Sequence, residues 1–478
     1  VNAAEMLVRQ AARRGNATAL VARGHSLTFA ELDRESARWG AILHAAGLRA
    51  GDSVLFVHPM RVELYVALAA ALRVGVTATF VDPTAGLGRL DACAAARPPQ
   101  GLIASPGAHA LRLVSGALRR IPLKFSVGRR VPGATTLALG AATAPRDVVE
   151  SVSGDAPALV TFTTGTTGEP KTVVRSHRFL EAQHRAVARA LEPGPADLYL
   201  TALPLFVLAN LASGAGSLLP AADLRQIGSI DPAPVEAQIE RHAPNAAIAP
   251  PAFYERLLGR RVAPAFRRVY TGGAPVYPEL LDRLQVWAPN GTIVAVYGST
   301  EAEPMARIAR EEISDEDRRA VREGQGLLAG PPVPDLELRI DPDPEGVAGE
   351  IVVRGPHVAG AGWHRTGDAG RVDARGRLWL LGRCSARIVD ARGVVYPLSV
   401  EAGAQGHPSV RRAALAPHRG RRILAVELHR GARVPDIRER LRSPAIDEVR
   451  ILDRVPVDAR HHSKVDYAAL GRLLEQQA

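Results

Sequence analysis

Ser53-Val-Leu-Phe-Val57 and Thr77-Ala-Thr-Phe-Val81, with the apolar run of residues 62–72 between them, decide the fold class. Both end segments are short and apolar on consecutive positions, the pattern of strands buried on both faces. The run between them is too long for a strand and reads as a helix. Strand, helix, strand in that order implies crossover connections, and these build parallel sheets covered on both faces. Upstream, Thr28-Phe-Ala-Glu31 is a capping box for a helix carrying Leu32, Trp39, Ile42 and Leu43 and stopping at Gly47. Downstream the alternation continues through a strand at 158–163, a helix at 179–191, and strands at 246–249, 268–271 and 292–296.

The pattern changes near residue 335. Leu336-Glu-Leu-Arg-Ile340, Glu350-Ile-Val-Val-Arg354 and Arg377-Leu-Trp-Leu-Leu381 are short strands separated by Pro, Gly and Asp turns. Beyond Gly382-Arg383, strands at 410–415 and 423–428 and a helix from Asp436 form a pattern of their own. The expected class is α/β. A large N-terminal domain, 1–383, has parallel αβ-layered sheets and a β-rich subdomain at about 335–383, and a small mobile α+β domain spans 384–478.

Composition narrows the function. With 478 residues, 46% hydrophobic and 23% charged, the chain can bury a core and is not disordered. No run approaches the ~18 apolar residues of a membrane span. The first residues lack the basic and apolar regions of a signal peptide, so a soluble, cytoplasmic protein is expected. Two cysteines, Cys93 and Cys384, exclude a disulfide framework or a cysteine metal cluster. The net charge of +11 suggests nucleic acid, but 57 of the 60 basic residues are dispersed arginines and aromatics are only 4%. No basic stripe, stacking signature or zinc-finger spacing accompanies them, so nucleic acid is excluded as a partner. Where arginine fills nearly every cationic role, each of the three lysines, Lys124, Lys171 and Lys464, marks a place that suits a compact ammonium. Nothing in the sequence specifies an oligomeric state.

Residues 163–171 read Thr163, Thr164, Gly165, Thr166, Thr167, Gly168, Glu169, Pro170, Lys171. Small hydroxyl and glycine residues expose backbone N–H groups, hydroxyls donate to phosphate oxygens, and Lys171 adds charge. It is not a Walker A loop, because Pro170 stands where that motif needs Gly and a strand-like Thr172-Val-Val follows. The run resembles the signature of the adenylate-forming superfamily, which includes acyl- and aryl-CoA ligases, peptide-synthetase adenylation domains and luciferases. Leu27-Thr-Phe-Ala-Glu-Leu32, Ala50-Gly-Asp-Ser-Val54, Gly272-Gly-Ala-Pro275, Val296-Tyr-Gly-Ser-Thr-Glu301, Trp363-His-Arg-Thr-Gly-Asp368, Gly382-Arg383, Gly393 with Tyr396-Pro397, and Ser463-Lys464 resemble further motifs of that family, in its order.

The resemblance implies an ATP- and Mg²⁺-dependent ligase that activates a small-molecule carboxylic acid, fatty or aryl, as its acyl-AMP with release of pyrophosphate. It implies Glu301 as the Mg²⁺ ligand, Thr300 on the α-phosphate, and Lys464 bridging substrate carboxylate and α-phosphate. Tyr297 and Gly298, with Gly272, Gly273 and Ala274, would receive adenine. Asp368 would hold the ribose, Arg383 would reach ribose or phosphate, and Ser385 would be the hinge. Phe206, Val207, Asn210, Phe253 and Tyr254 are candidates for an apolar acid pocket. Taken alone, the residues also allow Asp368 as a turn residue and Glu301 as a helix-start anion.

Three features depart from the CoA-ligase pattern. Val207 follows Pro204-Leu-Phe where those enzymes commonly carry histidine, Ser385 replaces the usual Asp or Lys, and the C-terminal domain is short. With Pro456-Val-Asp-Ala-Arg-His-His-Ser-Lys464, they bring the chain closer to the bacterial β-lactone synthetases of olefin biosynthesis. Transfer to CoA is the first expectation for the second step. The alternatives are intramolecular β-lactone closure of a β-hydroxy acyl-adenylate, or adenylation of an aryl acid or another oxyanion in secondary metabolism.

Overall fold

The computed structural model describes residues 1–81, 86–164, 170–343, 348–429, 431–432, 445–458 and 464–476. The chain divides into two compact units, residues 1–225 with 233–248, and residues 226–232 with 249–478.

The first unit contains the predicted crossover. Ser53–Val57 pairs in parallel with Thr77–Phe80, and the helix Val62–Val74 between them is buried along nearly its whole length. Gly75 ends that helix at φ +75°, where a side chain would be strained, and an added Cβ would meet Val152 and Ala50 below 3.0 Å. These strands are the centre of a seven-stranded sheet ordered Thr135–Leu137, Leu123–Val127, Gly101–Ala104, Ser53–Val57, Thr77–Phe80, Pro157–Thr164, Pro170–Ser176. All neighbours are parallel except the last pair, an antiparallel hairpin with Thr163 opposite Lys171 and Thr164 opposite Pro170. Thr163, Thr164, Pro170 and Lys171 of the threonine-glycine motif thus lie on paired strands, and its residues 165–169 lie outside the described residues. A second group of strands has Leu198–Thr201 between Ala246–Ala249 and Gly216–Leu218, with Thr18–Ala22 and then His25–Thr28 beyond. The predicted capping box is present: Thr28 Oγ1 accepts from the Glu31 N–H, and the Glu31 carboxylate accepts from the Thr28 N–H.

In the second unit, Arg268–Gly272 and Thr292–Ser299 are parallel, and Ala302–Ala309 returns antiparallel to the latter. The expected β-rich subdomain is a five-stranded antiparallel sheet, ordered Leu327–Gly330, Leu378–Arg383, His364–Val372, Gly349–Arg354, Glu337–Pro342. Residues from 388 onward bury apolar groups of their own, including Val410, Leu415, Leu424 and Val426. Here Val410–His418 and Arg421–Leu428 are antiparallel, and Glu448–Leu452 adds a parallel strand. The helix expected from Asp436 lies outside the described residues. No helix among the described residues is long and apolar enough to cross a membrane.

Asp317 ties the helix Asp315–Arg322 to the sheet. Its carboxylate accepts from Arg377 Nη1 and Nη2 at 2.9 and 2.7 Å and from the N-capping Ser314. The Arg377 hydrogen bonds hold its pKa down at about 2, against an ordinary 3.8. This stabilisation is present above the ordinary value and is lost as pH falls through about 2. Asp317→Asn should therefore destabilise the protein by roughly 2 kcal/mol at neutral pH, measured by denaturant unfolding, with the gap to wild type closing towards pH 2.

Candidate active site

The ends of Arg268–Gly272 and Thr292–Ser299 in the second unit gather seven of the predicted residues, Gly272, Gly273, Ala274, Tyr297, Gly298, Thr300 and Glu301. Gly272 is required by packing: a Cβ there would lie 2.4 Å from the Val296 carbonyl oxygen. Gly273 adopts φ +81°, leaving the backbone of 272–274 open on that side. Gly298 is similarly close-packed, with a Cβ 3.1 Å from the Ala302 carbonyl. Thr300 and Glu301 occupy the two-residue connection between antiparallel strands. Glu301 is therefore not a helix-start anion. Its own carbonyl accepts from the Ala359 N–H at 2.7 Å, and Ala302 bridges Val358, which fixes the connection from outside.

Asp368 is the electrostatic centre. It lies on His364–Val372, directly across from Arg383 on Leu378–Arg383. Its Oδ2 accepts from the Tyr297 hydroxyl at 2.8 Å, and Arg383 Nη1 stands 3.2 Å from Oδ1. Arg383 also donates to the Thr366 carbonyl, while Thr366 Oγ1 accepts from the Asp368 N–H. Asp368 is thus more than a turn residue: it organises one face of the site. Burial pushes its pKa up, Arg383, the Tyr297 hydroxyl and Lys464 pull it down, and the Glu301 charge raises it. Hence Lys464 and Glu301, 163 residues apart in the chain, lie within electrostatic reach of the same carboxylate. Burial and the neighbouring Asp368 raise the Tyr297 hydroxyl well above its ordinary value, so it stays a donor.

Lys464 is held by backbone pairing. Its N–H donates to Asp458 Oδ1 at 3.1 Å, its carbonyl accepts from the Asp458 N–H at 2.9 Å, and Val457 bridges Val465. Ser385 is exposed in the short turn Cys384–Ala386 that follows Arg383.

The five pocket candidates fall in different places. Phe206 lines a largely apolar cavity of about 70 Å³ in the first unit, with Tyr65, Leu180, Val187 and Ala209. Val207 beside it is fully buried. Asn210 donates to Thr201 and Ser217, a buried polar knot inside that unit. Phe253 and Tyr254 are fully buried in the second unit, where Tyr254 donates to the Tyr270 carbonyl and packs edge-on to Trp287.

Two groups escaped the sequence reading. Thr271 Oγ1 and Ser299 Oγ are buried without a hydrogen-bond partner, at the ends of the two parallel strands. Orphaned buried hydroxyls at strand ends suit a ligand rich in oxygen. Among the described residues, no group of three or more His, Cys, Asp or Glu could hold a metal. Mg²⁺ bound together with a nucleotide needs only one or two carboxylates beside phosphate oxygens, which a single side chain such as Glu301 could supply.

Residues 7–361 match the family described as AMP-binding enzyme. The chain belongs to that family. An olefin beta-lactone synthetase of Stenotrophomonas maltophilia is 30% identical, over 96% of this chain and 93% of that protein. A feruloyl-CoA synthase of Amycolatopsis sp. is also 30% identical, over 84% and 83%. Among solved structures, the amide bond synthetase McbA from Marinactinospora thermotolerans matches with a TM-score of 0.84 at 23% identity, covering 99% of both chains. The anthranilate CoA ligase AuaEII in complex with anthranoyl-AMP matches with a TM-score of 0.83 at 18% identity, covering 100% of this chain and 98% of that one. The fold of this AMP-binding enzyme is thus that of adenylate-forming ligases, as its motifs imply.

Proposed function

We propose that this AMP-binding enzyme joins a carboxylic acid to ATP as an acyl-adenylate. The observation that carries the reading is the convergence of Tyr297, Arg383, Lys464 and Glu301 on the buried carboxylate of Asp368. Asp368 would accept from the ribose hydroxyls, with Tyr297 flat against adenine over the glycine-opened backbone of 272–274. The threonine-glycine hairpin would cradle the outer phosphates through Thr163, Thr164, Gly165, Thr166, Thr167, Gly168 and Lys171. Glu301 would hold Mg²⁺, which screens phosphate charge when bound. A carboxylate oxygen of the acid attacks the α-phosphorus, and the bond to the pyrophosphate oxygen breaks. Lys464 balances the charge that gathers between them, and Thr300 donates to the α-phosphate. Residues 384–478 act as the lid that carries Lys464, turning about Ser385.

For the second step we propose β-lactone closure. The hydroxyl oxygen of a β-hydroxy acyl-adenylate attacks the acyl carbon, AMP leaves, and the hydroxyl proton passes to solvent. Similarity along nearly the whole chain to an olefin beta-lactone synthetase supports this reading, as does the aliphatic, buried Val207. Incubation with Mg-ATP and a panel of β-hydroxy, fatty and aryl acids, with and without CoA, tests both steps. AMP and pyrophosphate should form in equal amounts, with a CoA-independent product lighter than its acid by one water. ADP as the stoichiometric product would overturn adenylation, and strict CoA dependence with a thioester product would replace lactone closure by CoA ligation.

A further inference from the structure

Behind Lys464, the chain buries a carboxylic acid with no part in the chemistry described above. Glu401 lies on the helix Pro397–Gln405, just beyond the Ser385 turn, and is 2% exposed. Its Oε1 accepts from the Tyr467 hydroxyl at 2.8 Å and from the Leu415 N–H at 2.9 Å. Tyr467 opens the helix Tyr467–Gln476, three residues past Lys464. Between them Asp466 donates its N–H to the Pro456 carbonyl and caps Ala469. The Tyr467 hydroxyl therefore pins the base of the segment whose backbone pairing presents Lys464.

The Glu401 helix, Pro397–Gln405, packs closely against other parts of the second unit. A Cβ at Gly403 would lie 2.7 Å from the Arg322 carbonyl, and one at Gly406 would lie 3.0 Å from Glu279 Oε1. Tyr277, which follows the 272–275 segment, faces Glu401 and Tyr467 electrostatically. Glu279 is half-buried, with its Oε2 buried and unpartnered; Arg318 and Arg322 act on it from the helix Asp315–Arg322, and Asp282 from its own helix. From the strand Val410–His418, Arg412 faces Tyr277 and is balanced by Glu427, beside Arg411. Among the described residues, the groups that act on Glu401 itself are the Leu415 N–H and the Tyr467 hydroxyl.

We propose that Glu401 and Tyr467 form a proton-linked positioning pair that holds the Lys464 segment in the adenylating arrangement. The pair rests on the adenylation reading for its purpose, though not for its physical behaviour. Burial raises Glu401 to about 7, from an ordinary 4.5, outweighing the two hydrogen bonds it accepts. A neutral acid fits the buried site, whereas an ionised one gains by leaving it for water. The sign follows. The arrangement holds fully below the ordinary glutamate value, weakens as pH rises towards about 7, and levels off above. The gap between those values sets a ceiling of roughly 300-fold on the weakening.

Full-length wild type, Glu401→Gln and Tyr467→Phe separate the outcomes. Hydrogen exchange of amides 464–476, corrected for intrinsic exchange, reads the arrangement without substrate. Protection in wild type should fall on the order of tenfold or more between pH 5 and pH 7, whereas Glu401→Gln, a permanently neutral isostere, should stay within about twofold. Tyr467→Phe should lower protection at pH 5 with Glu401 unchanged. Acid-dependent pyrophosphate release should lose its inflection near 7 in Glu401→Gln. An unchanged pH dependence of exchange in Glu401→Gln overturns the pair, whatever the activity. Loss of all adenylation with the exchange pattern intact would sink the function and leave the pair standing.

Discussion

Lys464→Ala is expected to lower acid-dependent pyrophosphate release by ~10²–10³ while leaving nucleotide binding within a few fold. The loss is large because charge develops where no other lysine serves: the chain has three, and Lys124 donates to the Ile121 carbonyl in the first unit. Arginines are abundant, but their planar forks are committed differently, as Arg383 shows by facing Asp368 and the Thr366 carbonyl. Removing the ammonium leaves two anions, the substrate carboxylate and the α-phosphate, facing each other without a balancing charge. Nucleotide binding is spared because Asp368 and Tyr297 remain. A supplied acyl-adenylate discriminates further. If the second step needs the lid turned about Ser385, with Lys464 withdrawn, the variant should process it at near-normal rate. Lactone closure without rotation would slow both steps together. Near-normal rates in both assays would return Lys464 to the ordinary surface.

What was legible followed from how local each signal is. The crossover at 53–81 could be read because both strands are buried on two faces and the helix between them is apolar throughout, so the buried pattern is unbroken. The capping box at Thr28 was equally plain, being a contact between residues three apart. Glu301 was harder. Its motif was visible, yet an acid after a Ser-Thr pair suits a helix start as well as a turn. Only the pairing of Ala302–Ala309 back onto Thr292–Ser299 decides for the turn. The central role of Asp368 was partly hidden for a similar reason. Its partners Tyr297 and Lys464 are 71 and 96 residues away, so the burial that raises its pKa is a tertiary effect.

The unpartnered hydroxyls of Thr271 and Ser299 carried no sequence signal, since threonine and serine at strand ends are ordinary. Glu401 was illegible for another reason. A lone glutamate on the short helix 397–405 looks like surface, and only its contacts with the Leu415 N–H and the Tyr467 hydroxyl, 14 and 66 residues away in the chain, show that it is buried. The pocket candidates show the converse difficulty. Aromatic and aliphatic residues near a motif serve packing as readily as substrate, and Tyr254 is fastened to the Tyr270 carbonyl within a core shared with Trp287.

Glu301→Gln should reduce turnover about 10²-fold at fixed Mg²⁺ and raise the Mg²⁺ needed for half-maximal rate, with nucleotide docking nearly unchanged. The amide keeps the shape of the side chain, and the connection itself is held by backbone contacts to Ala359 and Val358, so the fold should tolerate the change. What disappears is the negative charge that a hard divalent cation requires. A neutral amide oxygen binds Mg²⁺ far more weakly than a carboxylate, and no cluster of three or more acids among the described residues could substitute. The charge also acts on Asp368, which the Glu301 carboxylate pushes towards protonation. Neutralising Glu301 should therefore make Asp368 more readily ionised, so ribose contacts are kept or improved while the chemical step fails. Fluorescent-nucleotide titration with and without Mg²⁺, beside steady-state rates across a Mg²⁺ series, separates the two effects. Unchanged turnover and an unchanged Mg²⁺ requirement would remove Glu301 from the metal. A loss confined to nucleotide affinity would instead make it a binding residue and leave Mg²⁺ to other groups.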